Sequence, residues 1–171
     1  NVDFEAVKQQ NTKLLKQAFA LSREKLAEDL AAFEAKHSWV RDYALFYAIK
    51  EKFGFASWMT WPDEDIRHRR PEALAKYTEE LAESVEYYIF GQYVFFSQWE
   101  RLHDYARANG VELMGDMPIY VSEDSSDVWL NPDMFELDED VRPIRIAGVP
   151  PDYFQKNGQR WGNPLYAWKN H

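Results

Sequence analysis

Gly110-Val111-Glu112-Leu113-Met114-Gly115-Asp116-Met117-Pro118-Ile119-Tyr120-Val121 is the stretch whose reading decides the fold. Val111 to Met114 is a short run bounded by glycines, and it predicts an apolar strand. The segment before it reads as a helix stopped by Asn109-Gly110. Helix, glycine stop and strand make half of an α/β unit. Asp116 then falls just past the strand's C-terminal end, where such folds deliver functional groups. Downstream lie two Gly/Pro/aromatic stretches, Gly148-Val149-Pro150-Pro151-Asp152-Tyr153-Phe154 and Gly158-Gln159-Arg160-Trp161-Gly162-Asn163-Pro164-Leu165-Tyr166. Both read as loops. Residues 122–134 read as a loop with one short turn. Phe135 to Ala147 alternates weakly around Asp138-Glu139-Asp140, which suggests a small hairpin.

Upstream of Gly110 the pattern is helical. Phe4, Val7, Leu14, Leu15, Ala18, Leu21, Leu26, Leu30 and Phe33 recur at three- and four-residue steps, predicting helix over about Asp3 to Lys36 with a break near Ser22. Asp42 is placed to cap the next helix, whose face is Tyr43, Leu45, Phe46, Ile49 and Phe53 and whose stop is Gly54. Phe55 to Trp61 is an aromatic connector. Pro62 and Asp63-Glu64-Asp65 start a short turn with acids at its positive end. Pro71 opens a long helix. Its stripe runs through Leu74, Tyr77, Leu81, Val85 and Tyr88 and continues to Ala106, with Gly91 as a point where it can bend.

The 171 residues suffice for one domain with a core, and 46% hydrophobic against 29% charged residues describes a globular chain. A formal net charge of -9 disfavours nucleic acid and anionic membrane surfaces as partners but not a neutral sugar. With no cysteine, disulfides, thiolate metal sites and a cysteine nucleophile are excluded, and a reducing compartment suits the composition. No apolar run is long enough to span a membrane, and no signal-peptide pattern is present. The sequence opens at Asn1 inside a helical pattern, which suggests a fragment.

Aromatics make up 16% of the chain. Most serve as core, but Trp129, Tyr153, Phe154, Trp161 and Tyr166 lie in expected loops near Asp116, where rings can stack on sugars. Satellite packing under the loops is the competing reading for each. Asp116 itself serves either as a functional acid or as the cap of the following turn. Glycosidic chemistry needs two carboxylates across the bond. Glu123, Asp124, Asp127 and Asp152 are candidates, and their spacing selects no pair. His37, His68, His103 and His171 are scattered without metal spacing and are expected at the surface. Arg67, Arg69 and Arg70 are flanked by acids and read as a salt-bridged surface. No phosphate-binding glycine loop, nucleophile elbow or dinucleotide fingerprint is present.

Four runs resemble the 4-alpha-glucanotransferases (amylomaltases or disproportionating enzymes, glycoside hydrolase family 77): Gly115 to Val121, Asp124-Ser125-Ser126-Asp127-Val128-Trp129, Ala147 to Phe154 and Gly158 to Tyr166. Asp42 to Phe46, Trp58 to Pro62 and Phe95 to Trp99 are similar too. The resemblance implies an α/β fold, a fragment of a (β/α)8 TIM barrel with a mostly helical insertion subdomain. Residues 1–109 would be that helical subdomain, and 110–171 would supply barrel strands with active-site loops. The activity implied is transfer of α-1,4-glucan chains between maltooligosaccharides by a retaining double displacement, with no cofactor and no metal, in the cytoplasm.

By the same resemblance, Asp116 contacts the donor sugar, Tyr153 and Phe154 belong to a mobile loop over the cleft, and Gln159, Trp161 and Asn163 line the substrate path. The family's nucleophile, an Asp in an Arg-Ile-Asp-His stretch, and its acid/base Glu have no counterpart in this sequence, so the expected partner is the rest of a parent enzyme. The family's turn around Asp138 usually has Gly where this chain has Val141. If that position needs a positive φ, Val fits poorly, and Asp140 is the residue expected to take the strained place. A non-catalytic glucan-binding module and a purely structural piece are the alternative readings.

Overall fold

The computed structural model describes residues 2–170, so the expectation for His171 lies outside the described residues. The chain forms two compact units. One holds the chain up to Ala48 with Leu81–Met114, and the other holds Ile49–Glu80 with the chain from Gly115 on. No helix among the described residues is long and apolar enough to cross a membrane.

The first unit is helical. Helix α1 (Phe4–Ser22) starts at Asp3, whose carboxylate accepts the Ala6 N–H at 3.0 Å. It stops at Ser22, whose hydroxyl bonds back to the Ala18 carbonyl at 2.6 Å, and α2 (Ala27–Lys36) follows. The break expected near Ser22 is therefore present. Phe19, Tyr87 and Phe90 form a buried cluster, with Leu15, Leu26, Leu30, Tyr88 and Val94 packed on it. Phe33 packs against Tyr93 and Phe96.

Helix α3 (Val40–Lys52) begins before Asp42, which sits in the first turn rather than at the cap. An acid there still favours the positive end of the helix. Gly54 ends the helix at φ 64°. The long helix expected from Pro71 is two helices, α5 (Pro71–Glu80) and α6 (Ala82–Ala108), separated at Leu81. Gly91 interrupts neither: α6 runs through it, and a Cβ there would sit 3.7 Å from Leu15 Cδ2. Asn109 caps α6, and Gly110 follows at φ 72°.

The second unit is organised on tryptophans. Trp58 and Trp61, from the aromatic connector, are buried with Ile66, Tyr77, Val128 and Trp129. The short helices α4 (Glu64–Arg67) and α7 (Ser126–Leu130) hold them, capped by Asp63 and Ser125 respectively. Trp129, expected among the ligand-facing rings, is 0% exposed. Its indole N–H donates to the Ile66 carbonyl at 3.0 Å, and the Arg69 guanidinium lies 4.4 Å above its ring. This ring belongs to the core.

The Asp63 carboxylate accepts from the Tyr77 hydroxyl at 3.1 Å. Burial pushes that carboxyl up, but the bonds from Tyr77, Ile66 and Asp65 and the Lys76 ammonium outweigh it and leave it below its ordinary value. Burial and the same bond push the Tyr77 phenol up to about 12.

Val111–Met114 is not a strand. A β-ladder needs a hydrogen-bonding neighbour, and no described segment pairs with these residues. Their apolar side chains are left open, Met114 100% exposed. The expected hairpin over Phe135–Ala147 shrinks to one bridge, Leu137 to Pro143. The sheet forms instead from the two stretches read as loops: β1 (Ile146–Val149) pairs antiparallel with β2 (Gln159–Pro164), with a register irregularity between Ile146 and Gly148. Glycine permits this pairing, since a Cβ at Gly148 would lie 2.6 Å from the Gln159 carbonyl oxygen. One at Gly158, which has φ 70°, would lie 2.6 Å from that of Val149.

The turn at Asp138 is built as the Gly-to-Val departure warned. Val141 itself takes φ 60°, so Asp140 does not relieve it. Strain of about 1–3 kcal/mol is set against the burial of a side chain that is only 7% exposed, worth about 1.5–3 kcal/mol. The two nearly cancel, so Val141→Gly should change stability by no more than about 1 kcal/mol. Gly158→Ala has no such offset, because it adds left-handed strain to a backbone collision. Urea unfolding followed by circular dichroism should give a clearly lower midpoint for Gly158→Ala than for Val141→Gly. The reverse order would overturn this assignment of strain.

Candidate functional site

Residues 115–121 have no ladder of their own, and side chains of β2 and of the segment just after it hold their C-terminal end. Asn163 Nδ2 donates to the Val121 carbonyl at 2.7 Å, and the Tyr166 hydroxyl donates to the Ile119 carbonyl at 3.1 Å. Between these two bonds the Tyr120 ring lies edge-on to Trp161, with centroids 6.2 Å apart at 66°. The same ring lies nearly parallel to Tyr166, 6.2 Å away at 14°. Asp116 is exposed on this braced segment.

Gln159, Trp161 and Asn163 all lie on β2, with the register irregularity and Gly162 at φ 86° falling between Arg160 and Pro164. The Trp161 indole N–H donates to Gln159 Oε1 at 3.0 Å, so the amide orients a ring that remains half exposed. This placement was hidden while the segment read as a loop.

Tyr153 and Phe154 lie in the connection between β1 and β2. Their rings meet edge-to-face, 5.5 Å apart at 90°, and they are 95% and 89% exposed. The turn is fixed beneath them by Asp152, whose Oδ1 accepts the N–H groups of Phe154 at 2.9 Å and Gln155 at 2.7 Å. The rings are presented to solvent by a short, internally bonded turn rather than tucked under it.

Of the other candidate carboxylates, those of Asp124 and Asp152 have structural work. Asp124 accepts from the largely buried Lys50 ammonium at 2.6 Å and from the Trp58 N–H at 3.2 Å. Asp127 lies in the first turn of α7. Glu123 offers its backbone carbonyl to the Trp58 indole at 2.8 Å. Asp152 forms the turn already described. Among the described residues no group of three His, Cys, Asp or Glu side chains could hold a metal ion.

Of the expected surface histidines, His68 is exposed, His103 is half-buried, and His37 packs against Phe33 and Phe96. The arginine run is a surface only in part. Arg70 pairs with Asp65 at 2.8 Å, whereas Arg67 bonds the Met59 carbonyl at 3.3 Å and Arg69 covers Trp129.

Sequence reasoning missed Tyr120 as the ring joining Trp161 to Tyr166. It also missed the bidentate pair of Arg145 with Glu136, at 2.7 and 2.5 Å. The Arg145 bonds hold the Glu136 carboxyl below the usual carboxylate range, and the same bonds raise the guanidinium. Their separation of nine positions gave no sequence signal, because only the fold brings them together.

Comparison with known proteins shows the family. The model of the 4-alpha-glucanotransferase family matches residues 1–171. The 4-alpha-glucanotransferase of Clostridium butyricum is 44% identical over 98% of this chain, and that of Aquifex aeolicus is 46% identical over 98% of it. In both cases 34% of the relative is covered, so the chain spans about a third of the length of these relatives. An amylomaltase from Streptococcus agalactiae, solved in complex with acarbose, superposes with a TM-score of 0.95 at 43% identity. That match covers 99% of this chain and 35% of the other. The chain belongs to the 4-alpha-glucanotransferase family.

Proposed function

We propose that this chain carries one wall of the glucan cleft of a 4-alpha-glucanotransferase. The parent would transfer α-1,4-glucan chains between maltooligosaccharides by a retaining double displacement. The observation that carries the proposal is the hairpin. It holds an acid-bearing segment on one side and presents two nearly fully exposed aromatic rings at its tip. Exposed rings with oriented amides suit a sugar, which offers flat apolar faces and a rim of hydroxyls.

In this reading Asp116 accepts hydrogen bonds from donor-sugar hydroxyls and orients the ring. Gln159, Trp161 and Asn163 line the path. Tyr153 and Phe154 close over the bound chain and exclude water, which favours a sugar acceptor over hydrolysis. Residues 1–109 serve as the helical packaging and 110–171 as the site-bearing part. The unladdered Val111–Met114 segment would take its place as a strand of a (β/α)8 barrel completed by other parts of the parent. The reaction needs a nucleophile and an acid/base that this sequence does not contain, and the proposed setting is the cytoplasm.

Two measurements test this. Incubated with maltotriose, the purified chain should give no ladder of longer products by thin-layer chromatography. A ladder would show that the transfer chemistry lies here and contradict the role given to Asp116. Calorimetric titration with maltoheptaose should show binding that weakens about tenfold in Trp161→Ala and in Phe154→Ala. Asn163→Ala should weaken it as well, by releasing Val121 from the hairpin. Equal affinity in all three variants would remove the hairpin from the site.

A further inference from the structure

We propose a second glucan-binding subsite beside Tyr120, in a cavity of about 390 Å³ lined by Ile119, Tyr120, Glu136, Arg145, Tyr166 and Trp168. It rests on the glucan reading above. It extends that reading to residues to which the resemblance gave no role.

The cavity has the two components a sugar site needs. Its apolar part is aromatic: Tyr166 lies nearly parallel to Tyr120 and 5.5 Å from Trp168. Phe135 backs Tyr166 at 5.2 Å. The Tyr166 hydroxyl is already donating to Ile119, so what this residue offers a ligand is chiefly its ring. Trp168 is 77% exposed, although the three-residue turn Trp168–Asn170 is fixed to the unit. The Ala167 N–H donates to Met134 at 2.9 Å, and Asn170 Nδ2 donates to Asp133 at 3.0 Å. A large apolar ring held out to solvent on an anchored turn calls for a partner.

The polar part is the Arg145–Glu136 fork. Each partner keeps hydrogen-bonding capacity after the pair is made: the guanidinium has five N–H donors, and each carboxylate oxygen has a second lone pair. Side by side they match adjacent sugar hydroxyls, one accepting and one donating. A volume of about 390 Å³ lies within the range of about 300–1,000 Å³ usual for small-ligand sites.

Continuity selects the occupant. Tyr120 touches both places, edge-on to Trp161 and nearly parallel to Tyr166. A glucan lying along Gln159 and Trp161 needs only to pass this ring to place further glucose units over Trp168. The subsite would therefore reward longer chains over short ones.

Indole N–H resonances of the ¹⁵N-labelled chain test this directly, because Trp161 reports the first site and Trp168 the second. On titration with maltoheptaose both should shift. With maltose, Trp168 should respond at least tenfold more weakly than with maltoheptaose. Arg145→Ala should weaken the Trp168 response about tenfold while leaving that of Trp161 in place. Arg145→Lys, which keeps the charge but not the fork, should do the same. If Trp161 shifts and Trp168 does not, or if both Arg145 variants respond as the parent does, the second subsite is overturned and the first survives. A shift of Trp168 alone would overturn the first site and keep the second. Silence at both would overturn both.

Discussion

The bond from Asn163 to the Val121 carbonyl, with its companion from Tyr166 to Ile119, is the constraint on which the candidate site depends. Residues 111–118 have no ladder among the described residues and so cannot hold themselves in an extended form. Backbone groups without a ladder need other partners, and just past this segment Asn163 of β2 and Tyr166 supply them to Val121 and Ile119. Because β2 is itself registered on β1 through Gly148 and Gly158, the position of the Tyr120 ring traces back to two places where a Cβ would strike a carbonyl oxygen. The route from sequence to site runs through glycine before it reaches any aromatic.

A second constraint supports the loop that follows. The Asp124 carboxylate accepts from the Lys50 ammonium and the Trp58 N–H, and Trp58 returns a bond through its indole to the Glu123 carbonyl. A lysine so largely enclosed carries a desolvation cost, and the close carboxylate offsets it. The pair joins the end of α3 to the segment that leaves Val121. Together with the Trp61–Trp129 edge contact, it makes the tryptophan core the foundation of the loops rather than part of their ligand surface.

What could be read in the sequence follows from how local the cause was. Helix ends were legible where a neighbouring residue sets them, as at Asp3, Asp63, Gly54 and Gly110. The break at Leu81 was not, because a leucine gives no stop signal and Gly91 a misleading one. Val111–Met114 has the composition of a strand but lacks the neighbour that makes one, and composition cannot report a missing partner. Trp129 and Trp161 were indistinguishable as loop tryptophans; only tertiary packing separates a ring bonded to Ile66 from one held half open by Gln159. The strain at Val141 was foreseen, since a β-branched residue stood where the family has glycine, but the residue expected to absorb it was wrong.

The resemblance carried the family assignment, and the model of that family matches the whole chain. The residue roles within the site are proposals, taken from the resemblance and supported by the hairpin geometry. The measurement that reaches them most directly is hydrogen–deuterium exchange of the chain with and without maltoheptaose, read peptide by peptide. The account predicts slower exchange confined to residues 116–121 and 152–168, with the helices α1 to α6 unchanged. Protection centred on the helices, or none anywhere at saturating sugar, would contradict it.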